Sequence, residues 1–70
     1  MNADQFDEFY GASAARLVGQ LAAMLGSVVE AQDCVQEAFV KAWLHRHSFD
    51  SERNPEAWIR QTAWRTGISR

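Results

Sequence analysis

An all-α fold, a small bundle of three helices or four, is what this sequence predicts. Three observations carry that expectation. Apolar residues recur at three- and four-residue steps and nowhere alternate with period two for long. The β-branched residues never cluster. Turn formers are sparse, one proline and four glycines in 70 residues, and several stand where helices would begin or end. A chain of this length buries only about 60% of the surface its unfolded form exposes, so it makes one domain of roughly 3–5 kcal/mol at most.

The first helix is expected from Asp4 to about Leu25, with Phe6, Phe9, Tyr10, Leu17, Leu21 and Met24 on one stripe. Gly26 is its natural stop, because glycine takes the left-handed cap conformation without steric cost. Ser27-Val28-Val29-Glu30 then fits a capping box, which starts a second helix running from Val28 to about His45. Its core stripe is expected to be Val28, Ala31, Val35, Ala38, Phe39 and Ala42. The turn at Gly26 is short, so the first two helices should pack antiparallel. Arg46 to Arg53 loses the period and is expected to be a loop. Asn54-Pro55-Glu56 restarts a helix: a cap, a proline in the first turn and an acid that favours the helix dipole. This helix should reach at least Thr66. The chain has no C-cap signal or polar tail after it, so it is expected to stop inside its last helix.

Composition narrows the classes of function. The chain is 47% hydrophobic and 23% charged, which is globular and not disordered. One cysteine excludes an internal disulfide framework. No apolar run approaches the ~18 residues of a membrane span, and the acidic start is unlike a signal peptide. A cytoplasmic protein is expected. The net charge of −2 hides a split: residues 1–37 sum to −5 and residues 38–70 to +3, which points to two surfaces with different partners.

Enzyme chemistry has little support. The glycines are solitary, so there is no phosphate-cradling loop. His45 and His47 are two apart at a helix end and point different ways, with no further ligands to complete a metal site. No metal or cofactor is expected, and Cys34, beside the core stripe, is expected to be a buried hydrophobe. The second helix says more. At 100° per residue, Glu30, Asp33, Gln36, Glu37, Val40 and Leu44 share a window of about 120° opposite the core stripe. Acids and an amide grading into aliphatics describe a partner-binding face, although two stray aliphatics on a solvated face are also common. On the third helix Trp58, Ile59, Thr62, Ala63 and Thr66 make one side, with Trp64 roughly opposite beside Arg60 and Arg65. That indole either stacks on bases while the guanidinium groups meet phosphates, or covers the first helix.

The stretch Ala31-Gln32-Asp33-Cys34-Val35-Gln36-Glu37-Ala38-Phe39-Val40-Lys41-Ala42-Trp43 resembles the A-E-D-L-V-Q-E-A-F-L-R-A-W helix of bacterial RNA polymerase sigma factors of the extracytoplasmic-function (ECF) group. Phe49-Asp50 and Asn54-Pro55-Glu56-Ala57-Trp58-Ile59 resemble the same group's F-D loop and N-P-x-A-W-L helix start. The resemblance covers nearly the whole chain, with the motifs in order, and corresponds to region 2 of the family. The departure is Ala63–Ser69, which lacks the Asn and Asp of the family's A-R-N-L-A-x-D pattern.

The resemblance implies a non-enzymatic domain that binds the clamp helices of the largest polymerase subunit and recognises and melts the promoter −10 element. It implies polymerase contacts for Asp33, Gln36 and Glu37, with Val40 an apolar neighbour. It implies that the loop with Asp50, Ser51, Glu52, Arg53 and Asn54 captures a base flipped from the non-template single strand. Arg60, Trp64 and Arg65 on the following helix are implied to face the same DNA. An anti-sigma factor is a further partner of such proteins, and the C-terminal promoter-reading domain is absent from residues 1–70. The alternative from a different class is a helical protein-interaction module that uses the acidic face and never meets DNA.

Overall fold

Helix ends leave backbone groups without partners, and the side chains that satisfy them set the boundaries here. The computed structural model describes all residues, 1–70, and contains α1 (Ala3–Leu25), α2 (Val28–Leu44), α3 (Arg46–Phe49) and α4 (Pro55–Ile68), with no strand. Asn2 and Gln5 form a reciprocal capping box, so α1 begins one residue before the expected start. Gly26 closes α1 at φ +78°, the left-handed region that glycine enters freely. Ser27 Oγ accepts from the Glu30 N–H at 3.2 Å, but the return half of the expected box does not form. The Glu30 carboxylate instead accepts from Arg70, 3.0 Å away. Asn54 caps α4 by accepting from the Ala57 N–H at 3.1 Å, and α4 continues through Gly67 to Ile68.

The expected loop at 46–53 contains the single-turn α3, a correction with a clear cause. Phe49 is buried, and its ring meets those of Phe9 and Trp58 at 5.9 and 5.2 Å. One helical turn delivers it there while the N–H groups of Phe49 and Asp50 donate to the carbonyls of His45 and Arg46.

Contacts fix the topology. Tyr10 reaches Gln36, and Phe6 meets Trp43 at 5.2 Å, so α1 and α2 are antiparallel. Arg16 pairs with Glu56, and Gly67 lies so close to Leu25 that an added Cβ would come within 2.8 Å of its Cδ2. Helix α4 therefore runs parallel to α1 and antiparallel to α2. The core is Leu17 and Leu21 of α1, Ala31, Cys34, Val35, Ala38, Phe39 and Ala42 of α2, Phe49, and Ile59 and Ala63 of α4. The buried Ser13 hydroxyl donates to the Phe9 carbonyl at 2.6 Å. Of the expected core residues, Phe6 and Phe9 are half-buried against the core and three are exposed. Met24 and Val28 flank the Gly26 turn at an uncovered end of the bundle, and Tyr10 turns its hydroxyl out to Gln36.

Phe39 gathers the aromatic side of α1, with Phe6, Phe9 and Tyr10 at 6.0, 5.7 and 4.7 Å. Phe39→Ala is expected to cost roughly 3–5 kcal/mol, comparable to the whole stability of a domain this small. Denaturant melts should find that variant largely unfolded at room temperature; a transition close to the parent's would contradict the core assignment.

The Arg16 guanidinium donates to Glu56 and holds its carboxyl below the ordinary value of 4.5. A carboxylate whose folded pKa is lowered stabilises the fold above its unfolded pKa and loses that effect as pH falls through the folded one. Glu56→Gln should therefore lower the melting temperature modestly at about pH 7, and the gap to the parent should close by about pH 3. A gap of equal size at both pH values would rule the pair out as its source.

Candidate functional site

The outer face of α2 exists because the helix buries only its small-residue side. Opposite that side, Val29, Val40 and Leu44 are 76%, 54% and 68% exposed, far more than aliphatics in a monomer's interior require. Asp33, Gln36 and Glu37 are exposed on the same face. Val29, one helical turn before Asp33, extends the stripe beyond what the sequence reading included; its i−4 spacing was the available signal.

The structure divides this face into two environments. Asp33 and Glu37 lie toward α4, where Arg70 reaches both. Its Nη1 is 2.6 Å from Asp33 Oδ2 and its Nη2 is 2.8 Å from Glu37 Oε2, in addition to the Glu30 contact. The carboxylates hold the Arg70 guanidinium more firmly protonated than usual, Glu30 and Asp33 contributing most through hydrogen bonds. Gln36 and Val40 lie toward α1. There a groove of about 340 Å³ opens between the start of α1 and the end of α2, floored by Phe6, Tyr10, Phe39 and Trp43. The Tyr10 hydroxyl donates to Gln36 Oε1 at 2.8 Å, which leaves the amide NH₂ of Gln36 free to donate. The Arg46 guanidinium covers the Trp43 ring at 4.6 Å.

The loop residues are more committed than the sequence indicated. The Met1 ammonium pairs with Asp50. Ser51 Oγ donates to the Ser48 carbonyl at 2.7 Å, and Asn54 is held as the α4 cap. Arg53 is exposed and makes none of these contacts. Along α4 the three candidates do not share a face. Arg60 points toward Gln20 of α1 at 3.5 Å, a distance at which little of a hydrogen bond remains. Trp64 is half-buried and packs against the core. Arg65 is exposed on the α2 side, where with Glu37, Lys41, Thr62 and Arg70 it lines a basin of about 460 Å³ that no hydrophobic residue borders. Helix α4 touches α1 and α2 on two flanks, and of the two readings open for Trp64 the structure has the one in which it covers an edge of the core.

Cys34 is fully buried, and burial is the main cause that pushes its thiol pKa up, which disfavours the reactive thiolate. No helix is long and apolar enough to cross a membrane.

Residues 9–70 match the family model described as Sigma-70 region 2. Over 47 residues the chain is 43% identical to the ECF RNA polymerase sigma factor SigW of Bacillus subtilis (strain 168), an alignment taking in 67% of this chain and 25% of that protein. The chain thus spans about a quarter of the length of the relative it matches. No solved structure matches it.

Proposed function

Because the chain belongs to the Sigma-70 region 2 family over residues 9–70, we propose that it is the region 2 domain of an ECF sigma factor that docks on the polymerase clamp and opens the promoter −10 element. The family match carries the role in transcription initiation. The finer assignment is supported by the exposed α2 face, where Asp33, Gln36 and Glu37 stand beside Val40. Charged groups steer an encounter and apolar area holds it. The proposed partner on that face is the pair of clamp helices of the largest polymerase subunit.

DNA opening needs no covalent chemistry. An unstacked base costs a few kcal/mol, and a pocket that receives only the right base returns that free energy selectively. The segment from Asp50 to Asn54 is the proposed receptor for a flipped non-template base. Within it Arg53 is uncommitted and available to a phosphate, while Asp50, Ser51 and Asn54 are engaged by the fold and act through their remaining acceptor and donor positions. Arg65, exposed in the polar basin, is the better placed of the α4 cations for the backbone, and Arg60 is half-buried on the α1 side. Trp64, turned to the core, contributes an edge at most.

Calorimetry against a peptide of the clamp helices tests the docking face. Asp33→Lys and Gln36→Ala should each weaken binding with helicity intact, by about 2–5 kcal/mol for the charge and less for the amide. If both bind like the parent, the α2 face is only a solvated surface.

With the clamp peptide present, fluorescence anisotropy should find single-stranded −10-like DNA preferred to duplex. The affinity should be weak and fall only gently with salt, because few cations are uncommitted. Equal affinity for both forms would remove the flipped-base loop. Clamp binding without any DNA binding would leave the helical interaction module.

A further inference from the structure

The acidic end of the docking face is already occupied within the chain. Glu30, Asp33 and Glu37 recur at steps of three and four on α2, so their carboxylates repel one another on one side of the helix. Arg70 follows the end of α4, two residues after Ile68, which places it beside the first turns of α2. From there the guanidinium lies 2.6–3.0 Å from all three carboxylates. Two of the three, Asp33 and Glu37, are the acids proposed above to meet the polymerase.

We propose that Arg70 is an internal competitor for the polymerase-facing acids of α2, bridging Asp33 and Glu37 in the free chain and giving them up when the clamp docks. The proposal rests on the clamp assignment and adds a regulatory contact to it. A guanidinium spanning two carboxylates covers the oxygens that a partner's cations need, so docking requires it to leave. The contact is built to open. Asp33, Glu30 and Glu37 are all substantially exposed, and ion pairs in such surroundings are individually weak and screened by salt. Three of them on one guanidinium hold the closed arrangement without locking it. An affinity measured against such a chain is reduced by the fraction of molecules in which the acids are free.

The test is calorimetry of the 70-residue chain with the clamp-helix peptide at low salt. Arg70→Ala should bind on the order of threefold to tenfold tighter than the parent, the scale of releasing exposed ion pairs. Arg16→Gln also removes one positive charge, but from a residue whose partner is Glu56, and should bind as the parent does. The gain from Arg70→Ala should vanish near about 1 M salt, where screening acts within ~3 Å. Arg70→Ala binding no tighter than the parent, or Arg16→Gln matching its gain, overturns the competition while leaving clamp docking intact. No binding by parent or Arg70→Ala overturns the docking assignment and the competition with it.

Discussion

Helix α2 has to serve as the wall for two other helices at once, and the rest of the molecule depends on how it does so. Ala31, Cys34, Ala38 and Ala42 are all fully buried, and their small side chains let α1 and α4 both come close to the α2 backbone. A bulky row there would have kept one neighbour away, and beyond α1, α2 and α4 the chain has only the single-turn α3. Phe39 is the large exception. It stands at the edge shared with α1 and is enclosed by rings from that helix. With both flanks of α2 committed to the fold, its outer face is relieved of structural duty and can carry Val29, Val40 and Leu44 in the open.

The features legible in the sequence were those that a few neighbouring residues decide. Gly26 as the stop of α1, Ser27 as the start of α2, and Asn54 with Pro55 as the start of α4 are local chemistry, and each is realised. The buried face of α2 was also readable, because helical period fixes the angle at which a side chain leaves the axis. Period does not say whether a neighbour reaches that far along the helix, which is why Met24 and Val28 were expected inside and are not. Helix α3 was missed because one turn has no period; it forms because Phe49 finds partners from α1 and α4. The division of the acidic face has the same origin. Nothing around Arg70 announces that the end of α4 lies beside Asp33 and Glu37.

Charge follows a similar logic. An acidic first half and a basic second half pointed to separate surfaces, yet the two halves also pair with each other. Arg16 of the acidic half pairs with Glu56 of the basic half, and Arg70 of the basic half bridges acids of the other. What stays outward is a smaller set: Asp4, Asp7 and Glu8 near the start of α1, and Lys41, Glu52, Arg53 and Arg65 in the second half of the sequence. These residual charges, rather than the totals, are what an approaching partner meets.

The parallel alignment of α1 with α4 also bears on the order in which the molecule assembles. Pairs such as Arg16 with Glu56 and Gln20 with Arg60 join residues 40 apart in the chain, whereas the α1–α2 hairpin closes through the tight turn at Gly26. Closing a long segment costs more chain entropy than closing a short one, so nearby contacts form first on entropic grounds. The α1–α4 contacts are thus the costliest to close, whereas α4 also meets α2 antiparallel across the short connection 45–54. The seam between α1 and α4, which carries the Arg16–Glu56 pair, is therefore the one that chain entropy opposes most.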